Sequence, residues 1–216
     1  MNLQRFRTFL FDLDGTLIDH FAAIHRSYVH TLSQLGLRAP TALEVRGAVG
    51  GGLENSLGRF VPAARLAEAL KIYGAYWDRT MLDGVELMPG ARPLLERLHA
   101  CGAALAVFTN KRGSSSRLIC EHLGIAPLFR VVVGACDTPW LKPEPAFMAH
   151  ILKLLGAEAG STLLIGDSPY DIDAAHNAAM PAWCVATGTH AVDELRAAGA
   201  DAIFPDLAAL GRELEK

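Results

Sequence analysis

The chain has 216 residues, of which 51% are hydrophobic and 20% are charged, and its formal net charge is −3. This composition excludes a disordered chain, and the small negative charge gives no general attraction to nucleic acid or to an anionic membrane. No apolar run approaches the roughly 18 residues of a membrane span, so we expect neither a nucleic-acid partner nor a membrane partner. The four cysteines form no CxxC pair, which fits a reducing cytoplasm.

Six short apolar segments recur along the chain and predict strands that are buried on both faces. They are TFLF at 8–11, ALAVFT at 104–109, RVVVG at 130–134, TLLIGD at 162–167, AWCVAT at 182–187 and AIFP at 202–205. Helical patterns lie between these segments, and several of them end at a glycine. The alternation predicts an α/β fold with a doubly wound, mainly parallel Rossmann-like sheet, in which ligands bind at the carboxyl ends of the strands.

One segment, from about residue 18 to residue 88, interrupts this alternation because it carries helical patterns and no convincing strand. It begins directly after an acidic stretch and ends at a turn signalled by Pro89 and Gly90. We therefore predict a small α-helical cap domain over residues 18–88. It would be inserted into a Rossmann-like catalytic core made of residues 1–17 and 89–216.

Polar side chains follow the predicted strands at the ends where ligands would bind. Asp12 and Asp14 follow the first strand, and two such close carboxylates repel each other unless a cation or a shared proton offsets their charge. Other polar residues take equivalent positions along the chain, namely Thr109, Asn110, Lys142, Asp167 and Asp171. A merely solvated surface has no reason to confine polar groups to one edge of a sheet, so we expect one shared site.

The stretches FDLDGTLID, FTN, LKPEP and GDSPYDIDAA together resemble the four motifs of the haloacid dehalogenase superfamily of hydrolases. The resemblance covers nearly the whole chain in order and spacing. Around the third motif, the stretch GACDTPWLKPEPAF is similar to the phosphoglycolate phosphatase branch of that superfamily. The resemblance implies a phosphoric monoester hydrolase whose partner is a small phosphorylated metabolite.

The resemblance also implies a role for each acidic residue of the motifs. Asp12 would be the nucleophile that forms an aspartyl-phosphate, and Asp14 would be the general acid and base. The cofactor would be Mg²⁺, held by the side chains of Asp12 and Asp167 and by the backbone carbonyl of Asp14. Asp171 would steady this metal site without binding the ion itself.

The remaining motif residues would bind the phosphate group. Lys142 would add a positive charge, and Thr109 together with the backbone of Asn110 would donate hydrogen bonds to phosphate oxygens. Gly15 would let the chain turn away from the site, and Thr16 would brace that turn through its hydroxyl.

Some substrate contacts are expected outside the four motifs. Arg46 and the glycine run around Gly51 could bind a carboxylate, as in phosphoglycolate, although a flexible connection between helices explains the glycines equally well. His20 directly follows the first motif and is a further candidate for a substrate contact. Lys111 is expected to be solvated or to belong to the outer shell of the site, behind the residues that contact the substrate.

Other functions remain open at this stage. A sugar-phosphate mutase uses the same core, and a non-enzymatic phospho-accepting or ligand-binding relative would also carry clustered acids. The acid at Asp14 argues against a dehalogenase, because a halide leaving group needs no proton. The catalytic positions of the motifs are intact, which favours a phosphatase, while the physiological ester and the choice between monomer and homodimer stay open.

Overall fold

The computed structural model describes residues 5–215, so the predicted core's outermost residues, 1–4 and 216, lie outside the described part. The strands are β1 (Thr8–Phe11), β2 (Ile18–Asp19), β3 (Glu86–Leu87), β4 (Ala104–Arg112), β5 (Val131–Ala135), β6 (Thr162–Gly166), β7 (Ala182–Val185) and β8 (Ala202–Phe204). Within residues 5–215, six of them form a parallel sheet in the order β5-β4-β1-β6-β7-β8. The predicted α/β fold and all six predicted strands are confirmed.

The helices alternate with the strands of the sheet, except for a group inserted after β2. They are α1 (Phe21–Gln34), α2 (Ala42–Arg46), α3 (Leu53–Gly58), α4 (Leu66–Thr80), α5 (Ala91–Ala100), α6 (Gly113–His122), α7 (Pro145–Leu155), α8 (Pro169–His176), α9 (Val192–Ala197) and α10 (Leu207–Leu214). Helices α1 to α4 form the predicted helical insertion. Among residues 5–215, no helix is both long enough and apolar enough to cross a bilayer.

Two short strands flank the insertion. Strand β2 pairs antiparallel with β3, with Ile18 opposite Leu87 and Asp19 opposite Glu86. The prediction of no strand between residues 18 and 88 is therefore wrong at both ends of that segment, because strands this short leave no apolar periodicity in the sequence. The division of the chain into domains at residues 17 and 88 stays a prediction.

The sheet is buried on both faces, as its apolar strands require. Phe9 and Phe11 of β1 pack into one hydrophobic cluster, and Leu10 between them packs into another on the opposite face. The first cluster continues into the insertion, where it includes Tyr28 and Trp77. A continuous core therefore joins the helical insertion to one face of the sheet.

The position of β1 in the sheet determines where polar side chains can meet. Its last residue, Phe11, pairs with Val107 of β4 on one side and with Ile165 of β6 on the other. Because neighbouring parallel strands end at the same edge, the residues that follow these positions converge. The first, second and fourth sequence motifs are brought together there.

Candidate active site

Asp12 and Asp14, the two acids that follow β1, pair with different lysines. Asp12 Oδ1 lies 2.8 Å from the ammonium nitrogen of Lys142. The two carboxylate oxygens of Asp14 instead accept from Lys111 Nζ, at 3.0 and 2.8 Å. The turn between them uses Gly15, whose φ of 85° is a left-handed conformation that a glycine adopts at little cost. Each acid has its own lysine, which offsets their mutual repulsion.

Lys111 contacts Asp14, which fits the outer-shell alternative, whereas the alternative that it is solvated is wrong. Its side chain is only 9% exposed. In addition to its ion pair with Asp14, its ammonium lies 4.5 Å from the centroid of the Trp77 ring. Lys111 and Thr109, two residues apart on β4, both line the cavity described below. The lysine therefore faces Asp14 and not the solvent.

Lys142 is a buried bridge between two carboxylates. Its ammonium donates to Asp171 Oδ1 at 2.6 Å in addition to its contact with Asp12. Asn110 fixes the backbone of this lysine, because its side-chain oxygen accepts from the Lys142 N–H at 2.7 Å and its amide nitrogen donates to the Lys142 carbonyl at 3.0 Å. The Asn110 side chain thus positions the lysine, and the contact of its backbone with phosphate stays a prediction.

The loop after β7 holds Asp167. The N–H and the hydroxyl of Thr189 donate to Asp167 Oδ2 at 2.8 and 3.1 Å, and the Thr16 hydroxyl approaches Oδ1 at 3.4 Å. Gly188 packs so closely that a Cβ at this position would overlap the Asp167 carboxylate. Sequence reasoning missed Thr189, although its place after a predicted strand was the available signal.

Asp171 is fully engaged by its neighbours. Its Oδ1 atom accepts from Lys142, and its Oδ2 atom accepts from the hydroxyl and the N–H of Ser168 at 2.6 and 3.1 Å. The acid lies in the first turn of α8, where a negative charge also complements the helix dipole. With both oxygens occupied, Asp171 is suited to orient Lys142, as the expected steadying role requires.

The carboxylates of this site can hold a metal ion. One oxygen from each of Asp12, Asp167 and Asp171 lies within 4.8 Å of the other two. These acids share the charge of Lys142, so the buried cluster carries an excess of negative charge that a divalent cation would neutralise. Among the described residues, Asp12 Oδ1 has the ion pair with Lys142 at 2.8 Å but no well-aligned hydrogen bond, so a lone pair remains for such an ion.

The pKa values of the clustered acids report the same excess of negative charge. Burial raises the pKa of Asp12, and the charge of Lys142 opposes this shift while that of Asp171 adds to it. Burial, followed by repulsion from Asp12 and Asp171, raises the pKa of Asp167 well above its ordinary value. A cation beside Asp12 and Asp167 would favour their ionised forms and reverse these shifts.

The pKa of Asp14 is shifted in the opposite direction from those of Asp12 and Asp167. Burial acts to raise its pKa, but the charge of Lys111 and the nearby His20 ring outweigh burial, so that its pKa lies well below the ordinary value. His20 Nδ1 lies 3.6 Å from Asp14 Oδ1, and its other ring nitrogen lies 2.6 Å from the Met81 carbonyl oxygen. Asp14 is therefore held ionised, and a contact between His20 and substrate stays a prediction.

A cavity of about 580 Å³ lies between the carboxyl edge of the sheet and the helical insertion. At one end it is lined by Asp12, Asp14 and Asp167, together with Thr109. Gly51 lies in its wall on the side of the insertion, as the sequence predicts for a residue near substrate, although its contact with substrate is untested. Asp12, Asp14 and Asp167 thus face a partly open cavity that can hold a small molecule.

Arg46 joins the insertion to the sheet. Its guanidinium donates to the carbonyl of Thr187 at 2.9 Å and to that of Gly188 at 3.0 and 2.6 Å, and it lies 4.5 Å from the centroid of the Phe21 ring. These carbonyls belong to the loop that holds Asp167. The predicted contact of Arg46 with substrate stays a prediction.

A family model described as haloacid dehalogenase-like hydrolase matches residues 9–185. The chain belongs to the haloacid dehalogenase-like hydrolases, as the four motifs indicate.

Relatives of known name cover nearly all of the chain. It is 33% identical over 213 residues to a phosphoglycolate phosphatase of Rhodospirillum rubrum, an alignment that covers 94% of this chain and 88% of the relative. It is 32% identical over 188 residues to a phosphoglycolate phosphatase of Yersinia pseudotuberculosis, covering 84% of this chain and 81% of that one. It is also similar to the crystal structure of a predicted phosphoglycolate phosphatase from Haemophilus somnus, with a TM-score of 0.90, 26% identity and coverage of 98% and 99% of the two chains.

Proposed function

We propose that this chain is a Mg²⁺-dependent phosphatase that hydrolyses a small phosphate monoester through an aspartyl-phosphate intermediate, as a phosphoglycolate phosphatase-like enzyme. The observation that carries the proposal is the pair Asp12 and Asp14, which sit side by side in opposite electrostatic environments. Two neighbouring carboxylates that are held by different partners, Lys142 for Asp12 and Lys111 for Asp14, can take two different catalytic roles.

In the first step, a carboxylate oxygen of Asp12 attacks the phosphorus atom. The bond between phosphorus and the ester oxygen breaks, and the leaving alkoxide takes a proton from Asp14, which is ionised in the free protein and must gain that proton when the phosphate ester binds. Lys142, 2.8 Å from Asp12, and the hydroxyl of Thr109 would stabilise the negative charge of the transferring group. The products of this step are an alcohol and a phosphoryl group bound to Asp12.

In the second step, the ionised Asp14 takes a proton from water, whose oxygen attacks the phosphorus atom. The bond to Asp12 breaks, inorganic phosphate leaves, and Asp14 is protonated for the next cycle. Lys111 keeps Asp14 in the ionised form that can accept a proton, and the same charge lowers the basicity of that carboxylate.

Mg²⁺ would be held by the side chains of Asp12 and Asp167 and by the backbone carbonyl of Asp14. When bound, it would supply the positive charge that allows an anionic carboxylate to approach an anionic phosphate. The chain's contribution is the orientation of these ligands, which Thr189 and Gly188 provide for Asp167.

The test is the release of inorganic phosphate from a panel of phosphate monoesters, measured with Mg²⁺ and again in excess EDTA. We expect turnover with Mg²⁺ and its loss with chelator and in Asp12→Asn. Phosphate release also separates hydrolysis from a mutase, which would return a phosphorylated isomer. Full activity in excess EDTA, or in Asp12→Asn, would overturn the proposal.

A further inference from the structure

The wall of the cavity that faces away from the reacting acids is largely apolar. It is built from the helical insertion and includes Ile24, Tyr28, Val49, Leu70, Tyr73 and Trp77. The phosphate of a bound ester would lie beside Asp12, so its alcohol part would extend toward this wall. The chemistry of the wall therefore selects the alcohol.

Tyr28 and Trp77 of this wall present carbon to the cavity because their polar atoms already have hydrogen-bond partners. The Tyr28 hydroxyl donates to Ser56 at 2.7 Å, and the Trp77 indole N–H donates to the hydroxyl of Ser115 at 3.1 Å. Burial, opposed in part by the bond to Ser56, raises the pKa of Tyr28 to about 12, so the ring stays neutral. An uncharged, apolar group gains free energy by leaving water for such surroundings.

The cations in and near the wall are already paired. Within residues 5–215, the basic residues that line the cavity are Lys111, which binds both oxygens of Asp14, and Arg112, which pairs with Asp78. Arg46, the residue that was expected to meet a carboxylate, donates instead to main-chain carbonyls. A second anionic group on the substrate would have to break one of these pairs or remain unpaired, which is costly.

The wall also carries a negative charge. Glu54, in the first turn of α3, is exposed and lines the cavity. Its carboxylate would repel the carboxylate of phosphoglycolate and would leave a neutral alcohol unaffected. The volume of about 580 Å³ lies within the range of about 300–1,000 Å³ that drug-sized ligands occupy, more than a short glycolate fragment needs.

From this cavity we infer that the substrates are phosphate esters of uncharged alcohols with a sizeable apolar or aromatic part, and that phosphoglycolate is a poor substrate. The inference rests on the proposed phosphatase function, since that function places the phosphate at the acidic end of the cavity. It adds a class of alcohol for this chain that differs from the glycolate in the names of the relatives.

Binding of non-hydrolysable phosphonates tests the inference without relying on turnover. Phenethylphosphonate, ethylphosphonate and phosphonoacetate would each be titrated calorimetrically into the protein in the presence of Mg²⁺. We expect phenethylphosphonate to bind at least about tenfold more tightly than ethylphosphonate, because only its ring reaches the apolar wall. Phosphonoacetate should bind no more tightly than ethylphosphonate.

A charge placed in the wall provides a second test. Val49→Arg adds a cation beside the cavity and should abolish the preference for phenethylphosphonate while tightening phosphonoacetate. Leu43→Arg makes the same kind of change on a residue that is 80% exposed and is absent from the described cavity wall, so the wild-type order of affinities should persist. If Val49→Arg does not fold, the wild-type affinities still decide the matter.

The hydrolysis of phenethyl phosphate and ethyl phosphate separates this inference from the proposed function. The inference would be overturned if phenethylphosphonate bound no more tightly than ethylphosphonate, or if phosphonoacetate bound more tightly than ethylphosphonate. Tighter binding of phosphonoacetate would indicate that groups such as the backbone of Gly51 bind its carboxylate. Phosphate release from ethyl phosphate in that case would leave the phosphatase intact. If the protein binds phenethylphosphonate more tightly than ethylphosphonate but hydrolyses neither phenethyl phosphate nor ethyl phosphate, the apolar binding site is upheld and the proposed phosphatase function is overturned.

Discussion

Replacing Lys142 by methionine removes the cation of the site while keeping a side chain of similar length. In the wild type, the lysine ammonium lies 2.8 Å from Asp12 Oδ1 and 2.6 Å from Asp171 Oδ1, and the residue is 4% exposed. The variant would leave buried carboxylates next to one another without a compensating charge. We therefore expect a large loss in the free energy of unfolding when no metal is present.

The size of the loss follows from these distances. At an effective dielectric constant of about 20, each attraction over such a distance is worth about 6 kcal/mol. The relief of the ammonium's own desolvation cancels part of this, and removing one partner of a buried pair costs about 3–5 kcal/mol. We expect a loss in that range, which is large compared with the total stability of about 5–15 kcal/mol that is typical of domains.

The assay is urea unfolding followed by circular dichroism, with and without Mg²⁺. Lys153→Met, which removes an exposed lysine from α7, serves as the matched control and should change stability by no more than about 0.5 kcal/mol. Mg²⁺ should restore part of the deficit of Lys142→Met because it binds the same carboxylates only in the folded state. Equal stability of Lys142→Met and the control without metal would refute the reasoning.

Three further substitutions test single contacts. Gly188→Ala would displace the Asp167 carboxylate and should weaken Mg²⁺ binding, measured by calorimetry, about 10–100-fold. Unchanged Mg²⁺ affinity would show that the metal site does not require a glycine at this position. Ala179 has a φ of 54°, so Ala179→Gly should relieve left-handed strain and raise Tm by about 1–4 °C, whereas a lower Tm would contradict the strain. Arg46→Ala should lower kcat/KM equally for neutral and carboxylate-bearing esters, because the arginine binds loop carbonyls; a loss confined to the carboxylate-bearing ester would place the guanidinium on substrate.

The sheet could be predicted from the sequence because its strands are short, apolar and bounded by helical patterns. The run TFLF coincides with β1, Thr8–Phe11, and the other predicted strands differ by a few residues at their ends. Parallel strands buried on both faces leave this signal, and the order of the chain then places the motifs at one edge. The short pair β2 and β3 could not be found this way, because two residues show no period.

Partners that are distant in sequence could not be predicted. Lys111 directly follows Asn110, and nothing in that neighbourhood indicates that its ammonium meets Asp14, which is 97 residues away. Thr189 lies 22 residues from Asp167 in a loop without a motif, and its place after a predicted strand indicates the edge of the sheet but not its partner. The resemblance to a family supplied the reacting acids, whereas these contacts depend on how the loops pack in this particular chain.

The central claim is that Asp12 and Asp14 divide the chemistry between them. Asp14→Asn keeps the backbone carbonyl of residue 14 but loses the base that activates water, so the phosphoryl group should accumulate on Asp12 when the substrate has a good leaving group, such as p-nitrophenyl phosphate. Asp12→Asn has no nucleophile and should accumulate nothing. The deciding measurement is the acid-quenched intact mass of each variant after mixing with substrate and Mg²⁺. A phosphate adduct on Asp14→Asn alone is the predicted result, and an adduct on Asp12→Asn would contradict it.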